Sequence, residues 1–388
     1  MTTTALAPFL GLHVLHAVPA SLLNRDDAGA IKKITIDGTP RARVSSQSWK
    51  RAIRTGIRTE AIDGGAYGLR TTRFPKLTAE ALTANHGIDP DRAAAVSAAL
   101  FTRLGLKANE KTGNTSVAVF ASEALPTRVA AALAEHDADI VLVTDPDEEA
   151  DESKKKTAPK LNIPDAVLTA ARAALDVDNT IDLALFGRML AEIPGSNVDG
   201  AVSVAHAFSV DPLALEADFF TAVDDAAGPG EAVSSMLDTA DLAAPTLYRY
   251  VELDRRQLRS NLAGYSQDES VVEELALTAE ARFVEWVVRS IPSAKKRSSA
   301  AHTLPILVLA DTGRAVYSLA DAFSPAIQGD NVAAKASERL LRHSTAARPF
   351  TGGTTTALAI NPTIADDLDF TGVDRADDLG DFIARVRR

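Results

Sequence analysis

The chain has 388 residues, of which 46% are hydrophobic and 24% charged, and it carries a net charge of −11. That balance is typical of a folded globular protein and excludes a disordered one. With no cysteine, it has no disulfide, zinc–thiolate site, iron–sulfur cluster or thiol nucleophile, which fits a reducing cytoplasm. The acidic average argues against binding nucleic acid through the whole surface, but it hides a local reversal. Residues 25–58 hold nine Lys or Arg against Asp26, Asp27 and Asp37, a net +6 in a chain whose remainder is −17. A concentrated basic patch on an acidic protein points to one polyanion site, with the rest of the surface repelling non-specific contacts.

In chain order, PFLGLHVLHAV (8–18) predicts a buried strand: it is short, rich in Leu and Val, and closed by Pro19. Its histidines, and the absence of a cationic leader, make it neither a signal peptide nor a membrane span. SSQSWKRAIRTGIR (45–58) predicts a helix, with serines to cap it and Trp49, Ile53 and Ile57 four residues apart. Residues 60–180 are expected to be a mostly helical insertion, with helices at DRAAAVSAALFTRLGL and PTRVAAALAEH and a mobile charged surface loop at 145–160. IDLALFGRML (181–190) and TLYRYVEL (246–253) are strand candidates with a second insertion between them. Val272, Leu275, Ala276, Ala279, Phe283, Trp286 and Val287 have helical spacing, and LPILVLAD from Leu304 predicts another strand.

Without the insertions the order is βαββαβ, so the expected class is α+β, with the ferredoxin-like topology that RNA-recognition modules share. The aromatic octamer of such modules is missing. Tyr248 and Tyr250 are the nearest candidates and are expected to pack in the core, so base stacking on the sheet face is not the expected mechanism.

The chemistry concentrates in RARVSSQSWKRAIR. Arg41 and Arg43 alternate with apolar residues and should share one face of an extended segment. In the helix Gln47, Lys50, Arg51, Arg54 and Arg58 form a cationic arc beside the apolar one, with Ser45, Ser46 and Ser48 at the free N–H groups of its first turn. Hydroxyls, free N–H groups and cations together suit phosphates and would bind them without regard to sequence. A solvated surface helix has the same pattern. A second cluster, Lys295, Lys296 and Arg297 with Ser298 and Ser299, repeats the chemistry after the long helix, where it would equally complement the helix dipole.

Other signals are weaker. Asn24, Asp26 and Asp27 in LNRDD, beside Arg25 of the basic patch, which is counted with the RNA-binding candidates, and Asp218, Asp224 and Asp225 in DFFTAVDD, are expected to cap or close turns. The seven histidines lack paired-ligand spacing, and His13 and His16 should lie on opposite faces of their strand. No phosphate-loop, dinucleotide or nucleophile-elbow motif is present. The expectation is therefore no catalytic residue, metal or cofactor.

The chain resembles the CasC family, the repeated backbone subunit of the type I-E CRISPR Cascade surveillance complex. The resemblance rests on LNRDDAGAIKK, RARVSSQSWKRAIR, LFGRM, VDGAVSVAHAFSVD, DFFTAVDD, LYRY and IPSAKKRSSAAHTLP in that order. It implies an RRM-like palm (1–60, a strand at 181–190, and 226–388), helical fingers (61–180) and a thumb (191–225). Copies of the chain, six by resemblance, would polymerise along the crRNA and present its bases to a target DNA strand, alongside the large, small, handle-capping and guide-processing subunits and without a membrane. Asn24, Lys32, Ser46, Gln47, Lys50 and Arg54 become palm contacts, and Lys295, Lys296 and Arg297 loop contacts. Val202 becomes the thumb-tip wedge, where the family carries Met. Two alternatives stay open: a type III-like backbone that cuts target RNA with a thumb-region carboxylate, here Asp199, and an oligomeric protein binding a small anion.

Overall fold

The structure is a computed structural model that describes residues 6–59, 67–109, 112–143, 160–176, 180–223 and 234–387. The chain divides into two compact units, one of residues 1–60, 202–256 and 277–388 and the other of residues 61–201 and 257–276.

The first unit begins with β1 (Phe9–Ala17), whose side chains are nearly all buried because the sheet is covered on both faces. A hairpin of β2 (Lys33–Ile36) and β3 (Thr39–Val44) leads into α1 (Ser46–Thr59), which buries Trp49, Ile53, Gly56 and Ile57.

The second unit pairs β4 (Gly68–Thr71) with β5 (Val119–Ser122), and β6 (Val141–Val143) with β7 (Lys160–Asn162). Around them lie α2 (Phe74–His86), α3 (Pro90–Arg103), α4 (Leu125–Glu135), α5 (Asp165–Asp176) and α6 (Ile181–Phe186). Phe74, Leu100, Phe101, Val129, Leu133 and Val167 lie in its separate apolar core. Helices α3 and α4 fall where their sequence pattern predicts them, and Asp89 caps α3 by accepting the Asp91 and Arg92 N–H groups. The expected mobile loop at 145–160 lies, apart from Lys160, outside the described residues.

The expected strand at 181–190 is instead α6, within the second unit. Thr180 caps it from Leu183 N–H, and Asp182, fully buried, accepts Gly68 N–H at 2.7 Å. The helix stops at Gly187, whose φ of +73° and close approach to Val198 and Gly200 leave no room for a side chain. A six-residue run buried all round has no polar face, so periodicity does not distinguish helix from buried strand.

The missing strand comes later, as β8 (Val202–Val204) and β9 (Ala207–Ser209), which both pair with β12 (Thr246–Asp254). Between β9 and β12 the hairpin of β10 (Glu216–Val223) and β11 (Ser234–Leu242) forms a two-stranded sheet of its own. After β12 come α7 (Arg255–Leu262), α8 (Glu269–Arg289), the short α9 (Lys296–Ser299), β13 (Leu307–Gly313), α10 (Val332–Thr351) and β14 (Thr354–Ala359). The chain then continues through α11 (Pro362–Ala365), β15 (Asp374–Arg375) and α12 (Leu379–Val386).

In the main sheet the order is β15-β14-β13-β1-β12-β9-β3-β2, with β8 also on β12. The segment β13-β1-β12 followed by β8 and β9 is the fourth-first-third-second order of a ferredoxin-like sheet, so the expected α+β class holds. Helices α1 and α8 pack closely enough that a Cβ on Gly56 would sit 2.0 Å from the Trp286 ring. The other face is sealed: α10 packs over β1, β13 and β14, and Tyr248, Tyr250, Phe323, Leu340 and Leu341 share one core cluster.

As expected, the two histidines of β1 serve opposite faces. Under α10, His13 lies 2.9 Å from the Tyr248 hydroxyl and 3.1 Å from Asp311, which also accepts from Thr355 and Ser344. Burial works against the Asp311 carboxylate, but these donors outweigh it and hold its pKa below the usual range. On the helical face His16 Nε2 donates to the Thr303 carbonyl at 2.9 Å. Burial, and secondarily the Arg249 charge, push the His16 pKa down to about 3.

Two predictions follow from these contacts. Gly56→Ala should lower stability by about 1–3 kcal/mol through overpacking against Trp286, read as a lower urea midpoint at unchanged slope. His16 has a folded pKa below its unfolded value, so it contributes stability above about pH 6.5 that is lost as pH falls toward about 3. His16→Gln, which keeps a donor for Thr303, should remove up to about 1.4 kcal/mol per pH unit from the slope of unfolding free energy in that window. Equal slopes in the two proteins would refute the assignment.

Candidate nucleic-acid interface

The interface is built on α1. Ser45 is its N-cap: its carbonyl accepts the Ser48 and Trp49 N–H groups, and its own N–H donates to Asn24 Oδ1 at 2.9 Å. Asn24 also takes the Lys32 N–H on its carbonyl, so this one residue ties the loop before β2 to the start of the helix. Beyond the cap, Trp49, Ile53 and Ile57 face the sheet, while Gln47 and Arg51 are exposed and Ser46, Lys50, Arg54 and Arg58 are half-buried on the adjoining faces. Burial pushes the Lys50 pKa down. An ammonium already partly stripped of water has less hydration to lose when it meets a phosphate.

Arg249, in β12, fixes the second cluster relative to the first. Its guanidinium is 3% exposed, lies over the Trp49 ring at 4.2 Å from the centroid, and donates to the Val287 carbonyl at 3.0 Å and, more weakly, the Ser290 carbonyl at 3.5 Å. These carbonyls are at the C-terminal end of α8, where a cation also complements the helix dipole. Burial pushes the Arg249 pKa down to about 9, which leaves it charged at neutral pH. Immediately beyond this anchor the loop carries Lys295, Lys296 and Arg297.

Loop and helix flank one cleft of about 890 Å³, lined among others by Asn24, Arg25, Arg51, Arg289, Lys296 and His302, with Asp26 and Asp27 on the same wall. The two basic clusters, far apart in sequence, thus each place one cation on the same cleft, Arg51 from the helix and Lys296 from the loop. Arg51 lies at the border between the cleft and the flank of α1 that carries Gln47, Lys50 and Arg54. Lys295 and Arg297 are on the loop but do not line the cleft. Asp26 accepts the Ala28 and Ala30 N–H groups at 3.0 Å each, the turn-closing role expected of it.

Several sequence expectations change. Arg41 is fully buried and donates to the Ser209 carbonyl at 2.8 Å and the Phe323 carbonyl at 3.0 Å, so it holds the sheet edge and is not open to a ligand. Arg43, on the same strand, is half-buried with its guanidinium 2.9 Å from His206 Nδ1. Alternation does put both arginines on one face, but that face runs from interior to surface along β3. The Ser298 and Ser299 hydroxyls both donate to the Lys295 carbonyl and brace the turn. Val202 is 4% exposed and pairs with Leu253 within the main sheet, so its side chain has no reach as a wedge. Asp218 is exposed on β10, and Asp224 and Asp225 lie outside the described residues. Tyr248 and Tyr250 are in the core, as expected.

Sequence reasoning missed Arg249, Arg289 and His302. Arg249 carried a signal: it shares one strand face with Leu247, Val251 and Leu253, an otherwise apolar row in which a cation implies a buried partner. Among the described residues no group of three or more His, Cys, Asp or Glu is arranged to hold a metal, and no helix is long and apolar enough to cross a membrane.

Comparisons with known proteins bear on the family and the fold. The family model described as CT1975-like protein matches residues 10–381. A solved chain titled "CRISPR RNA-guided surveillance complex, pre-nicking" is 31% identical at a TM-score of 0.78, with 97% of this chain and 99% of that chain covered. A second, titled "CRISPR RNA-guided surveillance complex", is 26% identical at a TM-score of 0.69 over the same shares. No curated protein matches. With nearly its whole length matched, the chain belongs to the CT1975-like family of Cas proteins.

Proposed function

We propose that this chain is the non-catalytic, crRNA-binding backbone subunit of a type I-E Cascade complex. The observation that carries the reading is the convergence of the α1 cations and the 295–297 loop on one unit, around a cleft flanked by Arg51 and Lys296. Support for a surveillance complex comes from the two similar solved chains, and support for type I-E from the CasC-like motifs. In this reading the first unit is the palm, the second the fingers, and the β10–β11 hairpin the thumb. Copies stack along the spacer in the cytoplasm, leave bases free for a target DNA strand, and assemble with the other Cascade subunits. The wedge between bases passes from Val202 to a long exposed apolar side chain, for which Met189 of the second unit, 86% exposed, is the candidate, so that in this reading the wedge comes from the fingers and not from the thumb.

Asn24, Arg25, Lys32, Arg43, Ser45, Ser46, Gln47, Lys50, Arg51 and Arg54, with Lys295, Lys296 and Arg297, make up the RNA-facing set, and Arg41 is withdrawn from it. Contacts of this kind neutralise phosphates and release counterions, so affinity falls with salt and does not depend on sequence.

Co-expressed with a guide precursor and purified through high salt, the protein should retain RNA protected in regular length steps. Lys50→Ala with Arg54→Ala should lower the slope of log affinity against log salt by about 1.4, two single-strand phosphate contacts, for every spacer alike. Loss confined to particular spacers would contradict backbone recognition. Arg41→Met should reduce stability and leave that slope unchanged. Metal-dependent cleavage of target RNA abolished by Asp199→Ala would establish the type III-like alternative instead.

A further inference from the structure

The loop from Ile291 to His302 is held at both ends by buried polar side chains of adjacent strands. At its start, Arg249 of β12 donates to the Val287 and Ser290 carbonyls while stacking on Trp49 of α1. At its end, His16 of β1 donates to the Thr303 carbonyl, and the Thr303 hydroxyl donates to the Ala17 carbonyl at 2.9 Å. Arg249 and His16 are on the same sheet face, since Arg249 pairs with Val14 and His16 with Leu247.

Between the two anchors the backbone is strained. Lys295 and Ala300, neither of them glycine, adopt left-handed conformations with φ of +48° and +44°. Such residues persist only where the surroundings over-determine them, and they concentrate at ligand-binding sites. Here they bracket α9, and the turn is braced further by the Ser298 and Ser299 hydroxyls on the Lys295 carbonyl. The strain and the two anchors describe a loop shaped before any ligand arrives. Preorganisation removes an ordering cost that a free loop would meet on binding.

We infer that Arg249 and His16 are positioning residues for RNA binding: without touching RNA, they hold the 291–302 loop so that Lys295, Lys296 and Arg297 meet the phosphates in a fixed relation to α1. This rests on the crRNA-binding reading above.

The test uses the full chain with Arg249→Lys, His16→Leu, His16→Gln, the triple change Lys295→Ala, Lys296→Ala and Arg297→Ala, and the Lys50→Ala, Arg54→Ala control. Two quantities are measured: amide hydrogen exchange of residues 291–302 without RNA, and the salt slope of guide-RNA binding. Arg249→Lys keeps the charge but has no planar fork to span two carbonyls over a ring. It should speed exchange in the loop about tenfold and lower the salt slope by up to about 2, the share of three single-strand contacts. His16→Leu should do the same and His16→Gln should restore both. In the triple-Ala background Arg249→Lys should lower the slope no further, a non-additivity that general destabilisation does not produce. Folded Arg249→Lys and His16→Leu proteins with wild-type exchange and slope would overturn the inference. If Arg249→Lys does not fold, the His16 pair decides it by the same readouts. Absence of RNA binding in the wild type would overturn the crRNA reading and the positioning role with it, whereas a normal response of the Lys50→Ala, Arg54→Ala control beside inert Arg249 and His16 variants would sink the positioning role alone.

Discussion

A guanidinium removed from water must find partners inside the protein, and Arg249 finds them in two helices at once. The Trp49 ring of α1 covers one face, the last carbonyls of α8 take its N–H groups, and its own strand is central in the sheet. Removing it would leave those carbonyls unsatisfied at about 1–3 kcal/mol each and open a gap beneath Trp49. Gly56 contributes from the other side, because its missing side chain lets α1 come down onto Trp286 of α8. The helix bearing one basic cluster and the helix that launches the other are therefore locked together by packing, and the cleft between them is a consequence of that lock.

The opposite face of the sheet is closed by α10, which leaves the side of α1 and α8 for the candidate interface. In a typical RNA-recognition module that face is open and its aromatics stack on bases. Here Tyr248 and Tyr250 lie under α10 and the 320–323 turn, among Phe323, Leu340 and Leu341, and the His13–Asp311 pair is sealed beneath the same cover. Burial raises the pKa of both tyrosines, so the phenols stay neutral and act as packing groups. With stacking surface consumed by the core, what remains for a polyanion is charge: Lys50, Arg51 and Arg54 along α1, and the cations of the loop.

Electrostatics and topology support each other. The protein as a whole repels polyanions, and the basic residues at 25–58 reverse the sign only locally. Not all of that charge faces outward, since Arg41 is spent on the Ser209 and Phe323 carbonyls. The outward remainder suits phosphate contacts that are indifferent to sequence, which is what the proposed guide-binding role asks for.

Much of this was legible in the sequence alone. The fourfold spacing of Trp49, Ile53 and Ile57 and the long periodic stretch of α8 determined where those helices lie, because a one-sided pattern of that period fits only a helix, while the apolar run of β1 read as a strand from its short length, its Leu and Val content and the closing Pro19. The α1 cation row followed from the same geometry. Tertiary structure alone decided the rest. Segment 181–190 is a helix and VSVAHAFS supplies the second strand, since a short run buried on every side has no period to betray its conformation. Arg41 is interior and Arg43 near the surface although they alternate on one strand, because burial depends on what packs across the strand and not on the strand itself. The placing of Arg51 and Lys296 on one cleft, and the hold of Arg249 on Trp49 of α1 and on the end of α8, join segments distant in sequence, and such arrangements are set by the packing of whole elements, which no local pattern encodes.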